Sequence, residues 1–355
     1  MKHSTLEDLG WTDDLAKAFA VRARPGLHPG RVAAQHGPML TVLTARSTVQ
    51  TMVSGRLKHR ARDAGELPAV GDWVLLTVRP GEGTGTIQEL LPRRSSFARK
   101  VAGRVTGEQV VAANVDTVFV LSSLNSDLNL RRIERYLTLA WDSGASPVAV
   151  LTKADLCTRA EAAVMEVEDV ALGVPVHAVS AVTGAGMAAL DRHFARGRTV
   201  AMIGSSGVGK STLVNWIVRE EVQVVRAIRG DDRGRHTTTH RELIVLPRGG
   251  LVIDTPGMRE IQLWDAAAGL GGAFSDVEGF ASQCRFRDCK HSREPGCAVK
   301  DAIATGRLSA ERYDSYTKLQ RELRHLARKR DARLAAEETR RWKIMSREMR
   351  RNRRP

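Results

Sequence analysis

The chain has 355 residues, 42% of them hydrophobic, and a formal net charge of +15, which allows two or three domains with real cores. So basic a balance points to a polyanionic partner, nucleic acid before an acidic membrane surface. No apolar run approaches the ~20 residues of a membrane helix, MKHSTLEDLGW lacks an apolar signal core, and four cysteines make no disulfide framework in so long a chain, so a cytoplasmic protein without a membrane is expected.

Residues 1–29 read as an N-terminal helical extension, with LEDLGWTDDLAKAFA as an amphipathic helix that stops at Arg24-Pro25-Gly26. From 30 to 100 the rhythm changes to short β-rich runs between turn residues: GRVAAQ, MLTVLTA, TVQTMVSG, GDWVLLTV and GTIQELL. About five strands in so short a stretch fit a small β-barrel. An OB-fold leads, since that barrel binds oligonucleotides, but strand counting leaves any small barrel or sandwich open. RRSSFARKVAGR then reads as a basic linker.

Residues 101–273 alternate strand and helix, which calls for a doubly wound, mostly parallel sheet. VDTVFVLSSL is a buried strand, and NLRRIERYLTLAWDSG a helix with Ile133, Tyr136, Leu137 and Ala140 on one face. PVAVLTK, VPVHAVS, RTVAMIG, RELIVLP and GLVIDTPG supply further strands, and RAEAAVMEVEDVALG and GMAALDRHFA further helices. RTVAMIG runs into GSSGVGKS, a G-x-x-x-x-G-K-[ST] loop between a strand and a helix, the context that motif requires. Its backbone N–H groups and the helix N-terminus favour phosphate. The assigned loop comprises Gly204, Ser205, Ser206, Gly207, Val208, Gly209, Lys210, Ser211 and Thr212. Lys210 reaches the β- and γ-phosphates as a catalytic cation, and the Ser211 hydroxyl ligates Mg²⁺. DTPG places Asp254 by that Mg²⁺ and the Gly257 N–H by the γ-phosphate. HTTTH, between them, is expected to be a switch in which one threonine closes over Mg²⁺; Thr237, Thr238 and Thr239 all stay open, with Thr239 assigned.

Thr152-Lys153-Ala154-Asp155 lies upstream of the phosphate loop rather than downstream, yet it too ends a strand. A carboxylate accepts both the N1–H and N2–H₂ of guanine, the role given to Asp155. The Lys153 stem lies over the base. A backbone N–H in Ser180-Ala181-Val182 takes the guanine O6. Base loop, O6 loop, phosphate loop, switch and DTPG then share one sheet rim although their order is shifted. A circular permutation of a P-loop GTPase explains this.

Residues 274–317 contain Cys284-x₄-Cys289-x-His291-x₅-Cys297. Three thiolates and one imidazole suit one tetrahedral, structural Zn²⁺. Arg285, Arg287, Lys290 and Arg293 interleave with these ligands, a surface suited to RNA phosphates. Cys157 reads as a core thiol. Residues 318–355 form a basic helical tail with 15 Lys/Arg against 5 Asp/Glu, so ten of the fifteen net positive charges lie there.

The loop order, AANVDTVFV, RRIERYL, SGVGKSTLVN, HTTTHREL, DTPGMRE and the Cys/His spacing together resemble the circularly permuted, ribosome small subunit-dependent GTPase family (RsgA, also called YjeQ), over roughly residues 30–317. The resemblance implies an N-terminal OB-fold, a permuted GTPase domain and a C-terminal helical zinc domain. It also implies GTP hydrolysis to GDP stimulated by the small ribosomal subunit, a role in its late maturation, and rRNA binding; a monomer is expected. The zinc ligands match that family's residue by residue. Thr152 departs from the family's usual Asn, so guanine binding weaker by ~1–2 kcal/mol is expected for one imperfectly replaced hydrogen bond. Met258 stands where Ras-like enzymes carry the water-positioning Gln. His236, at the start of HTTTH, is the in-chain candidate to orient the water, as the family pattern also implies. Two other readings stay open: a GTP-gated RNA-binding module, or a translation-linked GTPase, in either of which hydrolysis is incidental.

Overall fold

Thr12 begins the first helix of the computed structural model. Its hydroxyl accepts the Leu15 N–H, and Asp13 and Asp14 complement the dipole, so α1 spans Asp13–Ala20. The helix expected from residue 6 therefore starts later. Leu6 to Trp11 forms turns around Gly10, at φ +88°. Leu9 is buried there, and Trp11 meets Trp73 edge-on at 4.8 Å. The structure describes residues 5–100, 108–125, 128–226, 242–254, 267–292 and 294–330. The chain divides into two compact units, Met1–Gln262 and Leu263–Pro355.

In the first unit, β1 (His28–His36), β2 (Met39–Leu43), β3 (Thr48–Val53), β4 (Trp73–Val78) and β5 (Thr84–Leu90) close in the order β1-β2-β3-β5-β4-β1. All pairs are antiparallel except β3 with β5. This is the five-stranded barrel of an OB-fold. Alternating residues, among them Val32, Leu40, Val42, Val49, Val74, Leu76 and Ile87, fill it. A short helix, α2 (Gly55–Arg60), capped by Ser54, follows β3. Arg31 joins the barrel to its surroundings. Its buried guanidinium donates to the carbonyls of Gly71, Leu9 and Asn114 and lies over Trp73. Burial pulls it down to about 10, so it stays charged at neutral pH, held by carbonyl dipoles.

The expected linker is instead half of a hairpin. β6 (Ser96–Lys100) pairs antiparallel with β7 (Glu108–Ala113). Phe97, Val111 and Ala113 are buried in it; apolar contacts across the pair outweigh the basic composition that suggested a loop.

The second sheet comprises β8 (Thr117–Ser123), β9 (Ser146–Thr152), β10 (Val176–Ala178), β11 (Thr199–Gly204), β12 (Glu242–Val245) and β13 (Leu251–Asp254). Their order is β10-β9-β8-β11-β13-β12, parallel except for β12. β12 also touches β1 at Ala34↔Glu242, making the sheet continuous with the barrel. The helices α3 (Leu130–Asp142), α4 (Ala160–Glu168) and α5 (Lys210–Arg226) accompany it. Ile133, Leu137 and Ala140 of the expected α3 face are buried. The helix expected at 186–195 is a 3₁₀ helix, Met187–Phe194. Phe119, Leu121, Val150, Met202, Val208 and Leu213 form the central core.

The second unit holds α6 (Ala267–Ala273), α7 (Ser275–Ala281), α8 (Ala298–Ala304) and α9 (Ala310–Arg330). Phe274, Val277, Val299, Ala302, Leu308 and Tyr316 make its small core. Arg312 crosses it, paired with both Asp276 oxygens at 3.1 Å, bonded to the Ala273 carbonyl and 4.2 Å above the Phe274 ring. Among the described residues no helix is long and apolar enough to cross a membrane.

Candidate functional site

Parallel pairing puts the working loops on one rim. The registers Gly204↔Leu121, Ser123↔Thr152 and Ala178↔Leu151 place the ends of β11, β8, β9 and β10 side by side. β11 lies centrally, with the base-loop strands on one side and β13, ending at Asp254, on the other.

The phosphate loop turns from β11 into α5 through Gly207 at φ +76° and Gly209 at φ +101°, conformations that side-chain-bearing residues rarely adopt. Val208, buried between them, anchors the loop in the core. Ser205 and Lys210 are half-buried, while Ser206, Ser211 and Thr212 are exposed at the mouth and the first turn of α5. The Lys210 ammonium donates to the Gly204 and Ser205 carbonyls at 2.5 Å. A cation and a helix N-terminus thus share this loop, the combination that attracts a polyphosphate.

The base loop is fastened to it. Thr152 is buried, and its hydroxyl donates to the Val208 carbonyl at 2.5 Å, with the Ser122 carbonyl at 3.4 Å. The Thr152 carbonyl in turn accepts the Leu124 N–H. Threonine therefore keeps the tie between base and phosphate loops. Lys153 then adopts φ +59°, which starts the 3₁₀ turn Ala154–Leu156 and leaves Asp155 exposed on the rim. The Ala154 N–H reaches the Val179 carbonyl, joining the O6 loop to the base loop. In that loop buried Ser180 accepts the N–H groups of Val182 and Thr183 through its hydroxyl. The Ala181 N–H takes no partner among the described residues. Asp254 is half-buried at the end of β13. His236, Thr237, Thr238, Thr239, Gly257, Met258, Arg293 and the tail beyond Arg330 lie outside the described residues.

In the second unit the ligand atoms of Cys284, Cys289, His291 and Cys297 all lie within 4.8 Å of one another. The Cys284 and Cys297 sulfurs are 4.0 Å apart, and the His291 Nδ1 lies 3.5 and 3.4 Å from them. A tetrahedral Zn²⁺ with Zn–S near 2.3 Å asks for S···S of about 3.8 Å and slightly shorter S···N, so the donor set fits the metal. Desolvation, reinforced by Cys297 and Cys284, pushes Cys289 up to about 11. Burial works to raise Cys284 too, but the N–H groups of Val299 and Ala298 and the neighbouring thiols hold it below its usual value. Arg285, Arg287 and Lys290 are exposed around the cluster. Cys157, expected in a core, is half-exposed and stands outside it.

Sequence reasoning passed over the Val208 carbonyl and the Ser122 carbonyl. Backbone acceptors carry no residue-type signal, so only the fold reveals them.

A family model described as RsgA GTPase matches residues 90–264, and one described as 50S ribosome-binding GTPase matches residues 199–330. A protein of Opitutus terrae named Small ribosomal subunit biogenesis GTPase RsgA is 47% identical over 349 residues, covering 96% of this chain and 95% of its own. Its namesake in Streptomyces coelicolor is 44% identical over 339 residues, covering 94% and 91%. Among solved structures, YjeQ from Thermotoga maritima is 29% identical with a TM-score of 0.63, covering 84% of this chain and 98% of that one. YloQ, described as a circularly permuted GTPase, is 25% identical with the same TM-score and covers 85% and 98%.

Proposed function

Because the chain belongs to the RsgA GTPase family, a family of ribosome-biogenesis GTPases, we propose that it hydrolyses GTP on the maturing small ribosomal subunit, late in assembly, and leaves after hydrolysis. The observation that carries this is the tie from Thr152 to Val208, which couples a base loop to a phosphate loop on one rim although their order is permuted. Residues 101–273 are assigned as the GTPase domain, 30–100 as the OB-fold, 274–317 as the zinc domain and 318–355 as a basic tail, with 1–29 as an extension. The protein is read as a cytoplasmic monomer.

In this reading the loop from Gly204 to Thr212 wraps the phosphates, with Lys210 neutralising the β,γ-bridge. Asp155 accepts the two guanine donors, Lys153 covers the base and the Ala181 N–H meets O6. Ser211 and Thr239 would hold the Mg²⁺ that accompanies GTP, with Asp254 beside it, and the ion would supply charge neutralisation at the γ-phosphate. Gly257 donates to that phosphate. Met258 offers water no useful hydrogen bond, so His236 is assigned to orient it, once the switch is ordered by the subunit. The four-ligand zinc site holds Arg285, Arg287 and Lys290 in one place for rRNA phosphates.

Nucleotide state should govern subunit binding. With a non-hydrolysable GTP analogue the protein should co-sediment with purified small subunits, and with GDP it should remain largely in the supernatant. Equal sedimentation in both states would remove the release step.

Thr152 is a second test of the rim. Thr152→Val leaves the Val208 carbonyl without its donor and should weaken GTP binding by ~1–2 kcal/mol, about 5–30-fold. Thr152→Asn, which adds an amide able to reach the base, should tighten it. Fluorescence titration with a labelled GTP decides; a valine variant that binds like wild type would show the tie to be idle.

A further inference from the structure

At the sheet edge opposite the nucleotide rim lies an open cleft of about 350 Å³. It is lined where β8, β9 and β11 begin, by Thr117, Ser146 and Arg198, and by Arg94, Arg192 and His193. Strands of six or seven residues separate it from the GTP loops, roughly 20 Å at ~3.3 Å per residue.

The cleft is over-supplied with cations. Arg94 and Arg198 share one carboxylate, Asp116, at 3.4 and 3.0 Å. Asp116 also accepts the Thr199 N–H, so its capacity is largely used. Arg192 has no carboxylate partner among the described residues. It donates to the Nε2 of His177 at 2.9 Å and leans on the Nε2 of His193 at 3.4 Å. An imidazole nitrogen that accepts from a guanidinium must be unprotonated. Burial, then the Arg192 charge, hold both histidines below the usual imidazole value, so they lend Arg192 orientation without charge. Three guanidiniums thus face one carboxylate, and each keeps N–H donors with no acceptor among the described residues.

The guanidiniums are also wet. The Arg94 and Arg198 side chains are 40% and 61% exposed. A free small anion is held by desolvated donors, whereas an open row of forks suits a phosphate chain laid across it. We propose that this cleft is a phosphodiester groove that grips the rRNA backbone of the small subunit, on the far edge of the GTPase sheet from the nucleotide. The groove rests on the ribosomal reading above and adds a contact independent of GTP.

The test uses the full chain and purified small subunits. In Arg192→Gln/Arg198→Gln, Arg94 still pairs with Asp116, so no carboxylate is stranded. Binding with a GTP analogue is measured across 50–200 mM salt. Two lost phosphate contacts should lower the log–log salt slope by about 1.4 and the affinity at 0.1 M salt by roughly 25-fold. GTP affinity and subunit-free turnover should not change, and a benzophenone introduced at Ala195, in the cleft lining, should crosslink to rRNA. A wild-type slope in the variant, with wild type binding normally, overturns the groove alone, as does a crosslink to a ribosomal protein instead of rRNA. A wild-type chain that fails to bind subunits overturns the ribosomal reading and the groove with it. Lost GTP affinity would show that the variant damages the fold, and the single variant Arg192→Gln, expected to lower the slope by about 0.7, then decides.

Discussion

Asp155→Asn should cost the protein its tight hold on GTP. The wild-type carboxylate accepts from both N1–H and N2–H₂; an amide accepts one and sets its own N–H₂ against the other. Hydrogen bonds to charged groups contribute ~1.5–3 kcal/mol each. Losing one and opposing its donor should weaken GTP by about 3 kcal/mol, some 150-fold. Xanthine nucleotide, with an acceptor where guanine has its amino group, should bind the variant better than GTP does. Asp155 is exposed and its loop is held by the backbone bond from Ala154 to Val179 and by the Thr152 hydroxyl, so the fold should not suffer. Wild-type protein that binds ATP as well as GTP would remove the base-loop assignment.

Cys284→Ala should be as costly for the second unit. Protein purified without chelators should contain about one zinc per chain, and the variant almost none. The Cys284 sulfur touches both His291 and Cys297, and Cys297 leads directly into α8. The unit's core has few large side chains, Phe274 and Tyr316 chief among them, and small cores of this kind depend on a staple. Rapid proteolysis beyond residue 262 is expected, with nucleotide affinity of the first unit nearly unchanged. Cys157→Ala, outside the cluster, should keep its metal. Zinc-free wild type, or a Cys284 variant with full zinc, would contradict the site.

The parts legible in the sequence were those whose signal is local. GSSGVGKS between a strand and a helix fixes the phosphate loop by spacing alone, and four ligands within fourteen residues fix the metal cluster. The mostly parallel sheet of β8 to β13 was legible in the alternation of strand and helix, but not its strand order or the antiparallel β12. The hairpin of β6 and β7 was not legible either, because Arg99 and Lys100 mask its alternation and its stability comes from residues across the pair. The start of α1 was missed because Thr12 caps inside a longer amphipathic pattern. The Thr152–Val208 bond joins residues 56 apart, and the arginine cleft gathers positions 94, 192 and 198. Such contacts exist only after folding, and no spacing announces them. Threonine in place of asparagine read as a loss; the fold shows its hydroxyl donating to the Val208 carbonyl of the phosphate loop.

GTP turnover should be governed by the small ribosomal subunit. Phosphate release from GTP should be followed with protein alone, with purified small subunits, and with large subunits as control. Turnover should be slow with protein alone, since a methionine at 258 offers water no useful hydrogen bond, and should rise by at least about an order of magnitude with small subunits only. His236→Ala should bind GTP and subunits normally and lose most of that rise. Turnover that is the same with and without small subunits would rule out a subunit-governed GTPase and leave a nucleotide-gated RNA-binding protein in its place.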